Sequence, residues 1–186
     1  QILSLTFFTI FALLSTPLSS AYSGLAWAGA AQTDSVSGKT VTFSPSGDIV
    51  ASGHSATVLL SNSTTHESIQ TLYVDFFVQS IAFTSDEKFL IVGMESSLPN
   101  TPASIVFKWD GSEYVRTMHT EDGLNVDRIS VSSDDLTFAT ATENGNIAEW
   151  KMDTGIGSTL ELDREYSSPH TGHISCLDHS PDGQYL

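Results

Sequence analysis

VTFSPSGDIVASG (residues 41–53) is the stretch on which the fold turns. It reads as an alternating apolar strand, a short turn of Ser, Pro and Gly, and a second strand rich in small and β-branched residues. Pro and Gly stand where tight turns favour them, so the stretch predicts a hairpin. The pattern returns as IAFTSDEKFLIVG (81–93), ISVSSDDLTFATA (129–141) and CLDHSPDGQYL (176–186). Phe43, Phe83, Val131 and His179 are equivalent positions, spaced 40, 48 and 48 residues apart.

Outward from each hairpin lie two more strands. The third is ATVLLSN (56–62), SIVFKWD (104–110) and NIAEWKMD (146–153) in successive repeats; the fourth is predicted over 67–73, 113–118 and 159–164. No helical pattern follows residue 30. Four-stranded antiparallel units recurring every 40–50 residues or so are the blades of a β-propeller. One such unit cannot bury both faces alone and gains a core by stacking. The expected fold is therefore all-β: a propeller region over 38–186, with blades at 38–75, 78–119 and 126–166 and an incomplete one at 170–186. With its ends at Gln1 and Leu186, the chain reads as part of a longer protein. Such an open arc, three blades and the start of a fourth, exposes apolar faces and a strand edge. It is expected to be unstable or prone to aggregate.

Within the third repeat, FATATENGNIAEWK (138–151) resembles the "LASGSxDGTVRLWD" stretch of the WD-repeat family. Trp150 falls on the family Trp, Gly145 on the turn Gly, and Lys151 replaces the Asp. PHTGHISCLDHSPDG (169–183) is similar to "GHTGxVxxVxFSPDG", with His170 on the family His and Pro169 in place of Gly. Trp109-Asp110 is a literal Trp-Asp pair in the second repeat, where the first has Ser61-Asn62. The resemblance covers about 38–186 and implies a His, Ser/Thr, Asp and Trp network bracing each blade. The residues it assigns are Trp109, Asp110, Thr140, Asn144, Trp150 and His170. Thr140 and Trp150 fit; Asn144 replaces the network's Asp and Asp122 its His, so the network is degraded. Another propeller family, such as the quinoprotein-like ones, stays open.

Residues 1–33 carry no charge. ILSLTFFTIFALL (2–14) is followed by Pro17 and by small residues at cleavage-like spacing, as in Ala26-Trp27-Ala28 and Ala28-Gly29-Ala30. An apolar run of this length before a small-x-small site is a signal-peptide pattern. Residues 1–30 are read as a signal peptide with a short N-terminal segment, and the protein as extracytoplasmic: secreted, periplasmic or cell-surface. No membrane contact is expected beyond the export signal.

The formal net charge is -15, with seven basic residues scattered along the chain. Phosphate binding needs clustered Lys and Arg, which argues against a nucleic-acid partner. Cys176, the single cysteine, has apolar or small neighbours and reads as a buried structural thiol. His170, His173 and His179 lie near Asp178 and Asp182, but strand residues alternate faces, and no metal site is assigned. Asp122, Asn125 and Asp127 offer oxygens in EDGLNVD (121–127), yet the spacing is not that of an EF-hand loop. Asp134-Asp135 reads as a turn pair, and Asn62-Ser63-Thr64 is a glycosylation sequon. MESSLPNTPAS (94–104) is an insertion with loop composition, and loops on rigid scaffolds are where binding concentrates.

GxSxG, GxGxxG and P-loop motifs are absent. No catalytic, cofactor-binding or metal residue is assigned, and no cofactor is expected. The reading favoured is an exported, non-catalytic scaffold that binds a protein, peptide or glycan. The alternative is a propeller-type enzyme or cofactor binder, a quinoprotein-like oxidoreductase or a hydrolase, whose site lies outside this sequence.

Overall fold

A computed structural model describes residues 39–96, 98, 100–121, 123, 125–152, 159–166 and 172–186. Every regular element among them is a strand. β1 (Thr40–Phe43), β2 (Ile49–His54), β3 (Thr57–Asn62) and β4 (Ser68–Tyr73) form the first sheet. β5 (Phe77–Phe83), β6 (Phe89–Glu95), β7 (Ser104–Trp109) and β8 (Tyr114–His119) form the second. β9 (Val126–Val131), β10 (Thr137–Thr142), β11 (Ile147–Lys151) and β12 (Glu161–Tyr166) form the third. Each sheet is an antiparallel meander in sequence order. The register slips once per sheet between its third and fourth strands, at Leu60/Ser61, Val106/Phe107 and Glu149/Trp150.

The first turn of every unit is held by one device. Ser44, Thr84, Ser132 and Ser180 each accept the N–H five residues on through the side-chain oxygen, at 2.9–3.1 Å. In the last three, the same hydroxyl donates to an Asp two residues on, Asp86, Asp134 or Asp182. That Asp in turn accepts a backbone N–H, from Lys88, Leu136 or Gln184. All three carboxyls are held below their usual range, led by the Lys88 ammonium 2.7 Å from Asp86 and by the Ser132 and Ser180 hydroxyls for Asp134 and Asp182. Short polar side chains bonding their own backbone make such turns self-sufficient. The fourth turn therefore closes at 180–185, although no strand is formed over 172–186. A strand needs a partner ladder, and the described residues supply none there.

Stacking follows the sequence pattern. β1 packs on β5, and β5 on β9, so the first strands of the sheets lie together. FLIVGME in β6, the central sheet's second strand, is buried almost throughout because sheets cover both of its faces, and TFATAT in β10 is buried almost throughout as well. The outermost β12, ELDREY, is exposed along nearly its whole length. One apolar cluster, with Leu60, Val78, Ile81, Leu90 and Phe107, fills the seam between the first two sheets. A second, with Ile91, Val106, Phe138, Trp150 and Met152, fills the next.

The seams between the first and second sheets and between the second and third also carry a polar clasp. Gly47, Glu87, Asp135 and Gly183 are equivalent turn positions, all left-handed, with φ of 80°, 58°, 58° and 69°. That conformation suits Gly and is costly for Glu and Asp. The acids offset the cost across the seam. Glu87 Oε1 accepts the Ser46 N–H of the preceding sheet. Asp135 accepts the Ser85 N–H at 2.8 Å and the Asp86 N–H at 3.2 Å. Charge-assisted bonds to backbone N–H groups are among the stronger hydrogen bonds.

Candidate binding face

The strand order brings the turns after β2, β6 and β10 to one rim, together with the links that join the sheets. The inserted loop lies on this rim. It is pinned from within: the hydroxyls of Ser96 and Thr101 bond each other, and Gly123 N donates to Thr101 O at 3.1 Å. Ala103 and Ser104 N–H groups both donate to Thr120 Oγ1, at 3.3 and 3.0 Å. Leu98 is left exposed at the loop's tip.

Beside the loop lies a group of carboxylates. Glu95 Oε2 accepts from Lys39 Nζ at 3.3 Å and from the Gln79 amide. Glu143 Oε1 accepts from Asn125 Nδ2 at 3.1 Å, and Asp127 Oδ2 stands 3.2 Å from His173 Nε2. Asn125 Oδ1 and Asp127 Oδ2 are buried and make no hydrogen bond. Burial pushes the Asp127 carboxyl above its usual range; Glu143 and Glu95 push the same way, while His173 and Arg128 oppose. The folded state therefore holds this proton more tightly than the unfolded chain does. Its contribution favours folding in acid and fades as pH rises through the raised value. Asp127→Asn is expected to raise the thermal midpoint by a few degrees at neutral pH and to leave it unchanged in acid. Melting curves across that range test the sign.

The residues singled out in the sequence fall into different settings. Trp150 is buried and its indole Nε1 donates to Thr140 Oγ1 at 3.0 Å. Asn144 is exposed in the turn before β11. Asp110 Oδ1 accepts the N–H groups of Ser112 and Glu113 and caps a surface turn. The Trp109 ring is partly exposed and tilts on Tyr114 at 5.2 Å between centroids. Backbone register separates the two tryptophans. Trp109 N donates to Lys88 O as Met152 N does to Leu136 O, so Trp109 matches Met152. Phe107, opposite Leu90, holds the place that Trp150 holds opposite Phe138. His170, Asp122 and the apolar segment 1–30 lie outside the described residues.

Cys176 is exposed, not buried as its neighbours suggested, because no strand pairs along 172–178 to cover it. Asn62 of the sequon accepts the Thr64 and Thr65 N–H groups through Oδ1, at 2.9 and 2.8 Å. His173 and His179 have separate partners, and no metal-binding group of His, Cys, Asp or Glu forms among the described residues.

The sequence reading missed one constellation. Ser130 Oγ accepts the His179 N–H and stands 2.9 Å from His179 Nδ1; His179 Nε2 lies 3.5 Å from Glu149 Oε1. Ser, His and acid are the components of a nucleophile triad. Here Ser130 is 6% exposed and the His179 side chain 5%, so the set lies inside a seam with no approach for a substrate.

A family model described as "WD domain, G-beta repeat" matches residues 164–186. Three solved structures align with the chain over most of its length. Hydrazine synthase of Kuenenia stuttgartiensis superposes with a TM-score of 0.65 at 18% identity, over 79% of this chain and 40% of that one. The β-propeller domain of Cps50 (Swd1) from Myceliophteria thermophila gives 0.57 at 17% identity, over 72% and 44%. A chain of a mitotic checkpoint complex gives 0.65 at 16% identity, over 80% and 46%. The fold is that of a β-propeller. The three sheets are its blades, and the WD-repeat model matches only the last stretch of the given sequence. The chain spans less than half the length of these propeller chains. No curated protein matches it in sequence. Because propellers host many activities, the likeness speaks for architecture alone.

Proposed function

We propose that this chain is the exported, non-catalytic part of a propeller scaffold that binds a protein or peptide on the rim of the 94–104 loop. WD-type propellers commonly serve as scaffolds for protein interactions, and one structural neighbour sits in a named multiprotein complex. The observation that carries the reading is the rim itself: an insertion braced through Ser96, Thr101 and Thr120, with Leu98 exposed, beside Glu95, Glu143 and Asp127. An apolar tip next to carboxylates favours a basic segment with an apolar anchor, since complementary charge steers encounter and an apolar contact retains it. The uncharged, apolar start of the sequence supports export.

Binding of the full chain to arrays of basic peptides, acidic peptides and glycans tests the partner. Salt-sensitive capture of basic peptides, lost in Leu98→Ser/Glu143→Gln, is the expected result. Capture of glycans alone, or capture indifferent to the rim substitutions, overturns it. For export, a reporter active only outside the cytoplasm is fused to the chain with and without residues 1–30. Activity that does not depend on those residues removes the localisation.

A further inference from the structure

The asparagines of the chain are Asn62, Asn100, Asn125, Asn144 and Asn146, and Asn62 alone has a Ser or Thr two places on, with Ser63 and not Pro between. Asn62 ends β3, and the turn to β4 closes over its side chain. Its Oδ1 accepts the Thr64 and Thr65 N–H groups at 2.9 and 2.8 Å. The His66 N–H donates to Asn62 O, and the Ser63 N–H to Asp48 O. Residues 64–67 are exposed. A short polar side chain capping its own turn in this way forms an Asx turn. The cap uses Oδ1; Nδ2 donates to no described residue and is not buried. Capping alone does not call for Asn, since Asp110 caps the corresponding turn of the second blade through Ser112 and Glu113. The exposure is a property of the blade. Asn62 lies opposite Ile49 as Lys108 lies opposite Phe89. Lys108 and the turn 109–113 after it are exposed although that blade is packed on both faces. Successive turns of a meander alternate between its ends, so the turn after β3 lies on the rim opposite the 94–104 loop.

We propose that Asn62 is an acceptor for an N-linked glycan, carried on the rim opposite the 94–104 loop. The site rests on the export reading, because the donor, a lipid diphosphate-linked oligosaccharide, is met outside the cytoplasm; it does not rest on the nature of the partner. In the transfer, Nδ2 loses one proton to a base of the transferring enzyme and bonds the anomeric carbon of the glycan. The bond from that carbon to the phosphate oxygen breaks, and the lipid diphosphate leaves with the electron pair. Asn62 and Thr64, the pair that the acceptor pattern requires, sit together in one exposed turn. The atom that reacts is the one the fold leaves unused, so the product keeps the Oδ1 cap and the turn. An attached glycan is bulky and hydrated and has to end in solvent. On this turn it requires no seam to open, and it leaves the rim with Leu98 and Glu143 free for a partner.

The test expresses the full chain in a eukaryotic secretory host twice, with its own residues 1–30 and with a signal sequence of the host in their place. The expected result is a mobility shift that a peptide N-glycosidase removes from the folded chain without denaturant. Mass spectrometry then reads conversion of the Asn62 amide to an acid. The shift is expected to be lost in Asn62→Asp, which keeps an acceptor for the turn and lacks Nδ2. It is expected to be lost in Thr64→Ala as well, and kept in Thr64→Ser. A chain secreted behind the host signal with Asn62 unmodified overturns the proposal, as does a shift that survives Asn62→Asp. Release of the glycan only after denaturation overturns its placement on an exposed turn. A shift that appears behind the host signal alone supports the acceptor and removes the export reading.

Discussion

Phe138→Ala is expected to lower the free energy of unfolding by about 3–5 kcal/mol, the range for truncating a buried aromatic ring. Phe138 is fully buried at the centre of the seam between the second and third blades. It lies opposite Trp150 on one side and Val131 on the other within its own sheet. Its ring fills space that Val50 and Leu90 fill at the equivalent places of the other blades. Removing it leaves a cavity between two sheets that are themselves hydrogen-bonded, and a packed sheet cannot collapse freely into it. Leu136→Ala, two residues away and exposed, is expected to stay within about 0.5 kcal/mol. Denaturant titrations compare the two. The expected signature is a lower midpoint with an unchanged slope. A loss under about 1 kcal/mol for Phe138→Ala would show that the seam is not close-packed.

The hairpins were legible because their determinants are local. A Ser or Thr at the turn's start and, in three of four repeats, an Asp two residues on write the turn into five residues of sequence. The strand FLIVGME reads as an apolar run because sheets cover both of its faces. Register beyond the hairpin was less legible. The literal Trp109-Asp110 pair suggested a counterpart of Trp150, yet backbone pairing places Phe107 there. The insertion at 94–104 hides the offset from anyone counting along the chain, and only the ladder fixes it.

What the seams do was not legible at all. Asp134-Asp135 read as a turn pair, and the turn is real, but Asp135 also holds the N–H groups of the neighbouring blade. His179 stood out at an apolar position, whereas Ser130 and Glu149 did not, each being unremarked in its own strand. Their meeting depends on two sheets packing face to face. Sequence periodicity tells which face a residue occupies, but not which residue of the next repeat it meets. The rim shows the same division: the insertion was evident, while the burial of Asp127 depends on how the links between blades cross.

Gly93→Ala is expected to cost about 1–3 kcal/mol, as overpacking does in a well-filled interior. Gly93 lies near the end of β6, where the first strand of the third blade crosses closest. A Cβ built there meets Val126 Cγ1 at 2.6 Å and Ile129 Cδ1 at 3.0 Å. Both belong to stiff, β-branched side chains, which cannot swing aside cheaply. Gly53 is in the same position one seam earlier, with Val78 Cγ1 at 2.5 Å. At the third seam the equivalent residue is Ala141, fully buried, so that seam accommodates the Cβ the other two exclude. The glycines therefore set how closely the first three blades approach, and the seam built on Glu149 and His179 runs by a different spacing rule. A double-mutant cycle checks this. Val126→Ala alone creates a small void and destabilises; combined with Gly93→Ala, it makes room for the new methyl group. The pair is expected to be less destabilising than the sum of its singles by roughly 1 kcal/mol, the coupling of residues in direct contact. If the two losses simply add, Gly93 is tolerated for a reason other than the approach of Val126, and the spacing argument fails.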